Sequence, residues 1–317
     1  MNPCFFASWQ HLAIACVAAI AVVLPARGSP PPEPEIAQRA EEFDLDAIAR
    51  ANNQFAIDLY HQLNDDSNGN LLFSPYSLSL ALGMTYSGAR GETARQMAQV
   101  MYFPWSDDRL HVGLSQLQER ISTSSDPQTQ ISTANRVWLQ QNYRFLASFL
   151  EITRSYYGAE PELLDFAREP EACRSRINEW VSQQTQGKID ELIPNGAIDE
   201  LTRFVLTNAI YFKSPWFDPF DPEDTQPEVF TISPNQTAMV PTMIGNIAVD
   251  YAAIDDLHVV KLWYTDDWLS MVILLPEEGH TLADIEATLT IDNLERWLST
   301  SFMPQEMNLW IPKFKIE

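Results

Sequence analysis

The sequence predicts an α+β protein, in which helices and strands are mixed without the strict alternation of a parallel α/β fold. Most of the predicted helices come before Thr202, and most of the predicted strands come after it. Hydrophobic residues make up 45% of the 317 residues, which is ample for a large core in one domain or two. Val205–Phe212 is a nearly unbroken apolar run with the length and composition of a strand covered on both faces.

The helices are predicted from apolar spacing and from start and stop signals. Apolar residues in Leu45–Leu63 keep the spacing of one helix face. Ser74 and Pro75 form an N-cap and a first-turn proline, which predict a second helix that ends at Gly88. A capping-box pattern at Thr93–Gln96 predicts the start of a third. The apolar positions of the second helix are Leu78, Ala81, Leu82 and Tyr86. Further helices are predicted at Asp107–Ile121, Tyr143–Tyr157, Glu171–Thr185 and Leu282–Leu298.

The strands are predicted from alternating or continuous apolar runs. They lie at Ile131–Leu139, Thr202–Lys213, Glu228–Ile232, His258–Tyr264, Ser270–Leu275 and Met307–Ile316. Val205–Phe212 is expected in the interior of a large sheet, with Asn208 in the middle of the run. A buried amide that stays unpaired costs about 1–3 kcal/mol, so Asn208 is expected to have dedicated partners.

The net charge of the chain is −23, from 43 acidic and 20 basic residues. A field of this sign repels phosphate backbones, so nucleic acid is excluded as a partner. The charge favours an interpretation in terms of solubility, and attraction to a basic partner or protease is the alternative.

Residues 1–28 are predicted to be a signal peptide, because Leu12–Leu24 is an apolar run of the length of a signal core. Cleavage after Gly28 would leave Ser29 as the first residue, and an uncleaved anchor is the alternative. Residues 29–46 form a proline-rich and acidic segment, and residues 47–317 the folded domain. The prediction is therefore a secreted protein, extracellular or periplasmic, without stable membrane association after cleavage.

Cys4 and Cys16 fall inside the predicted signal, so the mature chain retains only Cys173. An intramolecular disulfide is then impossible, and the fold must rest on its core. Cys173 shares a helical face with Ile177 and Trp180, which favours a buried, inert thiol over a reactive one.

Patterns of enzymatic and metal chemistry are absent from the sequence. Asn64–Gly69 imitates the start of a calcium loop, but Pro75 occupies the position where the loop requires a bidentate glutamate. The histidines are scattered without metal-ligand spacing, and there is no Gly-x-Ser-x-Gly nucleophile elbow. Acid pairs such as Asp255–Asp256 lie among turn signals, which favours solvated turns. We therefore predict no enzyme, no cofactor and no catalytic residue; Asn235 lies in a glycosylation sequon.

Three motifs in order, Asn70–Ser77, Gly88–Thr93 and Asn208–Phe220, closely resemble recurring patterns of the serpin family. The resemblance continues through Ile177–Ile189, Ser270–Pro276 and Ile311–Glu317, and extends from about Ala47 to the last residue. Two departures are Ser214, where the family usually has glycine, and Trp263, where it usually has proline. The resemblance implies a serpin-like α+β fold, with a large mixed or antiparallel central sheet and surrounding helices.

The resemblance also implies conformational roles for four residues. Ser74, Ser77 and Asn208 match the shutter, a hydrogen-bonded cluster under the main sheet that controls whether the sheet opens. Trp216 matches the breach tryptophan at the top of the sheet, where insertion starts. The residues themselves also allow a local interpretation: a helix cap at Ser74, a first-turn decoration at Ser77 and a satisfied core amide at Asn208.

The function implied is inhibition of proteases, mostly serine-type, through cleavage of a reactive-centre loop and its insertion into the main sheet. The loop, its scissile bond and the last strands of the family are expected after Glu317, so the chain is expected to be an incomplete domain. A non-inhibitory binding protein or inactive remnant is the alternative, and an unrelated secreted hydrolase is a third reading without motif support. The full-length form is expected to be a monomer, and residues 29–317 alone to be poorly soluble or oligomeric.

Overall fold

The computed structural model describes residues 35–314, except 67–69, 107, 234–235 and 267; of residues 35–44, 65–66 and 233 it describes the backbone alone. The predicted signal peptide at residues 1–28 and the start of the segment 29–46 lie outside the described residues, as does Asn235. Helix α1 begins at Glu35, inside the segment 29–46 predicted to be proline-rich and acidic, so residues 35–46 are helical.

Eight helices and eight strands are found in the described residues, which confirms the α+β class. The helices are α1 (Glu35–Asp66), α2 (Pro75–Gly88), α3 (Gly91–Val100), α4 (Asp108–Ser122), α5 (Ala147–Tyr157), α6 (Pro170–Gln184), α7 (Leu282–Thr288) and α8 (Ile291–Ser299). The strands are β1 (Gln130–Gln140), β2 (Glu160–Leu164), β3 (Phe204–Lys213), β4 (Gln226–Ser233), β5 (Gln236–Ile254), β6 (Leu257–Trp263), β7 (Ser270–Pro276) and β8 (Met303–Pro312). The sequence missed β2 and β5.

Three helix predictions are wrong in detail. Helix α3 begins at Gly91 after Arg90, without a side-chain cap, so the capping box predicted at Thr93–Gln96 does not form. The single helix predicted at Leu282–Leu298 is two helices, because Thr290 caps the second by accepting from Asn293 N–H. The predicted apolar face of α2 is also rotated: Leu80 and Met84 are fully buried, whereas Leu78 is exposed. When a helix has few polar residues, its sequence does not show which face is buried.

The chain divides into two compact units. The β1–β3 unit contains residues 35–59 and Ser74–Ser214, and the β4–β8 unit contains residues 60–73 and 215–314. No helix within the described ranges is long and apolar enough to cross a membrane.

The β1–β3 unit is built around a three-stranded sheet in the order β2-β1-β3. Strand β1 runs parallel to β2 and antiparallel to β3, in a register that pairs Asn135 with Asn208. Helix α6 covers one face, where Trp138 of β1 packs with Ile177 and Trp180. Helices α2, α4 and α5 pack together, and α2 also contacts β3. Gly83 permits the close approach of α2 to α4, because a Cβ at position 83 would lie only 2.6 Å from Cδ1 of Leu114 on α4.

The predicted place of Val205–Phe212 in the interior of a large sheet is wrong for the described residues. The run forms most of β3, which pairs with β1 and is the edge of the three-stranded sheet. The run is apolar because helices α2 and α6 both pack against β3. A continuous apolar run reports what covers the two faces of a strand, and it does not count the neighbouring strands.

The β4–β8 unit contains a five-stranded sheet in the order β4-β5-β6-β7, with β8 also paired to β5, and all the pairings are antiparallel. Strand β5 organises this sheet, because it pairs with three different strands along its 19 residues. Pro241 and Gly245 interrupt its sequence, which explains why sequence patterns did not identify it. Phe220, Ile247 and Leu262 belong to the core cluster of this unit.

Candidate functional site

Ser74 is the N-cap of α2, as the sequence predicts. Its side-chain oxygen accepts a hydrogen bond from the backbone N–H of Ser77 at 3.2 Å, and Pro75 occupies the first turn. The cap has an extended backbone, and its carbonyl accepts from Leu78 N–H at 3.2 Å. These contacts satisfy donors that a helix start otherwise leaves unpaired.

Asn208 is half-buried and has a dedicated hydrogen-bond partner. Its Nδ2 donates to Asn135 Oδ1 at 2.6 Å, across the β1–β3 pair. Asn135 is buried, and its own Nδ2 donates to Gln118 Oε1 and to the Tyr157 carbonyl, both at 3.2 Å. The two amides therefore connect the edge strand β3 to helices α4 and α5 through β1.

Buried hydroxyl groups lie on β1, two residues from Asn135, and on α2, which packs against β3. The side-chain oxygens of Tyr76, Ser77 and Thr133 are buried without a hydrogen bond of ordinary geometry among the described residues, although the Tyr76 and Thr133 hydroxyls interact with each other. Burial raises the pKa of Tyr76 to about 12, so this hydroxyl stays protonated at neutral pH. Each unpaired buried polar group costs about 1–3 kcal/mol, so this region contains polar groups that the present arrangement does not satisfy.

The predicted trio Ser74, Ser77 and Asn208 lies on two elements that pack together, α2 and β3. The hydrogen bonds do not join the trio: Ser74 bonds within its own helix, and Asn208 bonds to Asn135. Sequence reasoning missed Asn135. It lies in the predicted strand Ile131–Leu139, but the strand register that sets it opposite Asn208 cannot be read from one strand alone.

The opposite face of the sheet has its own polar contacts beneath α6. Trp138 Nε1 donates to Thr207 Oγ1 at 3.0 Å, and the ring of Trp138 meets that of Trp180 edge to face at 5.6 Å. The guanidinium of Arg136 lies over the Trp180 ring at 4.8 Å and bonds Glu162 of β2 at 2.6 Å. Strand β1 is thereby held to both of its neighbours and to α6.

Ser214, one of the two departures from the family pattern, lies directly after β3. Its hydroxyl is 2.6 Å from the hydroxyl of Thr129, which directly precedes β1. A glycine could not make this bond, so the substitution adds a side-chain link between the two strands at this end of the sheet.

Trp216, the predicted breach residue, belongs to the β4–β8 unit. Its ring stacks on Tyr264 with centroids 4.5 Å apart and an interplanar angle of 10°, and the two backbones form an isolated bridge. Phe217 N–H donates to the carbonyl of Trp263 at 2.9 Å. Burial raises the pKa of Tyr264 to about 12. Trp263, the second departure from the family pattern, donates through Nε1 to Asp250 at 3.0 Å.

The described residues contain no group of three or more histidine, cysteine, aspartate or glutamate side chains that could hold a metal ion. Cys173 is buried, as predicted, and burial raises the pKa of its thiol, which keeps the thiol protonated and poorly nucleophilic. The polar contacts around β3 join strands to helices. The candidate site is therefore the edge strand β3 together with the side chains that hold it to its neighbours, and it is a structural site, not a catalytic pocket.

Comparisons with known proteins identify the family. The family described as Serpin (serine protease inhibitor) matches residues 50–317. The chain is similar to a leukocyte elastase inhibitor of Equus caballus, with 39% identity over 281 residues that cover 86% of this chain and 74% of the relative. It is also similar to serpin B6 of Pongo abelii, with 37% identity over 278 residues, 86% of this chain and 74% of the relative.

Among solved structures, ovalbumin from the emu, Dromaius novaehollandiae, has a similar fold. The TM-score is 0.81 at 28% sequence identity, over 85% of this chain and 74% of the ovalbumin chain. The chain belongs to the serpin family. The recognition made from Asn70–Ser77, Gly88–Thr93 and Asn208–Phe220 is confirmed, as is the serpin-like fold.

The same relatives correct the predicted localisation. The leukocyte elastase inhibitor and serpins B6 and B8 are intracellular serpins, so the prediction of a secreted or periplasmic protein is wrong. That prediction rested on the apolar run Leu12–Leu24. An apolar run of this length is found in signal peptides but also in other kinds of segment, so its length alone does not establish the cellular compartment.

Proposed function

We propose that the protein inhibits serine proteases by the serpin mechanism, in which a reactive-centre loop is cleaved and then inserted into a sheet as a new strand. Membership of the serpin family supports inhibition as the class of activity. The relatives named leukocyte elastase inhibitor support a serine-type target. In this proposal the sheet receives the cleaved loop, and the target protease supplies the chemistry of cleavage.

Strand β3 fits the proposal as a place where a strand can be added. Strand β3 bonds β1 along one side and is the edge of its sheet within the described residues. Its side chains between Val205 and Phe212 are mostly half-buried and apolar. A strand added beside β3 would pair its main chain and remove more apolar surface from water, and both changes favour insertion.

We propose that Ser74, Ser77 and Asn208 have the shutter role. The two serines would act at the start of α2, and Asn208 would act through its hydrogen bond to Asn135. The Asn208–Asn135 hydrogen bond ties the edge strand to its neighbour, while the buried hydroxyl of Ser77 has no partner among the described residues. A rearrangement at the edge of β3 that pairs such a group would recover part of its desolvation cost. For Trp216 we propose the breach role, supported by its stacking on Tyr264 where the chain leaves β3.

A second candidate is a serpin-fold binding protein without inhibitory activity. One similar solved structure is an ovalbumin, whose name does not describe a protease inhibitor. The buried hydroxyl of Ser77, which has no partner among the described residues, is compatible with both candidates, because it affects the stability of α2 and the adjacent sheet but not the sequence of a reactive loop.

The deciding experiment uses the protein expressed from its reading frame, including whatever follows Glu317. It is incubated with elastase-like, chymotrypsin-like and trypsin-like serine proteases and analysed by denaturing electrophoresis. Inhibition predicts a covalent band at the sum of the two masses less that of the C-terminal fragment released by cleavage, formed by at least one active protease and absent when its catalytic serine is blocked. Cleaved inhibitor should also melt at a higher temperature than the intact form, because the inserted strand completes the sheet.

Cleavage without any covalent band and without a rise in melting temperature would overturn the inhibitory proposal and favour the binding protein. Thr207→Val supplies a matched variant for the sheet. It removes the acceptor of Trp138 Nε1 beside the edge, so it should alter the yield of covalent complex more than Thr231→Val on β4 does.

A further inference from the structure

A pocket of about 620 Å³ lies in the β1–β3 unit, apart from the edge of β3. It is bounded by the end of α2, by α3, by the start of α4 and by Ile152 of α5. Its volume is in the range of small-molecule sites. Apolar surface dominates its walls, which include Tyr86, Ala94 and Ala98. Polar and charged side chains, among them Arg90, Arg95, Asp108 and His111, also line the pocket, so it can make specific contacts to a ligand with an apolar body.

His111 supplies a buried hydrogen-bonding group at this pocket. Its residue is 4% exposed, and its Nδ1 lies 2.7 Å from the hydroxyl of Tyr157. Burial raises the pKa of Tyr157, so its hydroxyl keeps its proton. In the tautomer where this hydroxyl donates to Nδ1, the neutral imidazole carries its proton on Nε2. Burial lowers the pKa of His111, which favours this neutral form at pH 7.

In that tautomer the Nε2–H is the donor that His111, one of the lining residues, has left for a ligand. The ring is fixed in place by stacking against Tyr156, with centroids 6.1 Å apart. A fixed donor in a largely buried position binds an anionic oxygen more strongly than a solvated donor does.

Arg90 adds a positioned cation. Its Nη1 donates to the carbonyls of Ser87 at 2.9 Å and Ala89 at 2.7 Å, and Nη2 takes no part in either bond. Arg95 also lines the pocket and is paired with Glu92, while Asp108 is the carboxylate among the lining residues. The lining side chains thus carry two positive charges and one negative charge, in a chain whose net charge is −23.

We propose that this pocket binds a small organic carboxylate, whose apolar body lies between α3 and α5 and whose carboxylate accepts hydrogen bonds from His111 and Arg90. The apolar walls require a hydrophobic body, and the two donors require an anionic head. The site needs neither protease inhibition nor strand insertion, so it stands independently of the proposed function.

The test uses 2-naphthoate as the probe, with two comparison compounds. 2-Naphthamide has the same apolar body without the charge, and inorganic phosphate has the charge without the body. Binding to the full chain is measured by calorimetry, and the imidazole signals are followed by NMR. We expect 2-naphthoate to bind more tightly than either comparison compound and to shift the signals of His111. His61, His258 and His280 belong to the β4–β8 unit and should not respond.

A pair of matched variants tests the contact with Arg90. Arg90→Gln should weaken 2-naphthoate binding about tenfold, the equivalent of one charge-assisted hydrogen bond. Arg203→Gln is the control, because Nη1 of Arg203 also donates to two local carbonyls, those of Glu200 and Thr202, away from the pocket. It should leave the affinity unchanged. Melting curves of both variants show whether they are folded.

Ile152→Trp, which fills the pocket with an indole, should abolish binding in a folded protein. The proposal is overturned if 2-naphthamide binds as tightly as 2-naphthoate, since the site would then recognise only the apolar body. It is also overturned if 2-naphthoate leaves the His111 signals unmoved, or if Arg90→Gln and Arg203→Gln have equal affinities.

Discussion

At the residue scale, the amide pair Asn208–Asn135 is the most informative contact in the described chain. It joins the edge strand β3 to β1, and Asn135 extends the connection to Gln118 and to the Tyr157 carbonyl. The requirement for a partner follows from the sequence, because an amide in the middle of an apolar strand is costly unless it is paired. The identity of the partner follows from the strand register, which depends on residues more than 70 positions away.

Asn208→Ala is expected to destabilise the protein by about 1–3 kcal/mol, because Asn135 Oδ1 would be left buried without its donor. Urea unfolding of the variant and the parent measures the difference. Asn246→Ala is the control: this asparagine is exposed, and its bond to Glu306 is long at 3.4 Å, so a change within about 0.5 kcal/mol is expected. Equal losses in both variants would contradict the structural role of Asn208.

At the scale of elements, local signals located most of the helices and strands, and neighbouring structure set their boundaries. Helix α2 begins where Ser74 and Pro75 predict, because capping chemistry lies within one turn of the chain. Strand β5 escaped detection, since Pro241 and Gly245 lie within it and its stability comes from pairing with β4, β6 and β8. Helix α3 begins without a side-chain cap, at a point where α2 has ended and the chain turns at Gly91 with φ of +58°.

Ser74→Ala is expected to lower stability by about 0.5–2 kcal/mol, because the N–H of Ser77 would lose its acceptor at the start of α2. Ser74→Asp should retain most of the stability, since aspartate is also a good N-cap. Thermal melting of the three proteins provides the measurement. Ser122→Ala, at the exposed end of α4, serves as the control and should melt as the parent does. If alanine and aspartate at position 74 behave alike, the cap is not the source of the effect.

At the scale of the whole molecule, the charge of −23 governs encounters with partners. A field of this sign attracts a basic protein and accelerates its association at low salt. Attraction of a basic protease is the alternative interpretation of this charge. If the protein inhibits such a protease, the attraction can be measured as the salt dependence of the association rate.

For a basic serine protease that forms the covalent complex, we expect the association rate to fall several-fold when ionic strength rises from about 0.05 M to about 0.15 M. The rate is measured by competition with a chromogenic substrate. The same protease with its surface lysines succinylated is the matched control, and its rate should not fall with salt because the attraction is removed. Identical salt dependence of the two forms would show that charge does not steer the encounter.

Sequence alone determined the features that depend on residues close together in the chain. These are the α+β class, the start of α2 at Ser74, the apolar strand around Asn208 and the family, whose motifs are short and ordered. Backbone propensity, capping and apolar periodicity act within one or two turns, so they are visible without a structure.

Tertiary structure alone decided the features that depend on distant segments. The edge position of β3, the choice of Asn135 as partner and the pocket at His111 all arise where separate elements meet. An apolar run shows that a strand is covered, but the strand order of its sheet follows from pairing between strands far apart in the chain. The pocket likewise exists only because α2, α3, α4 and α5 pack around a shared space that no single helix encodes.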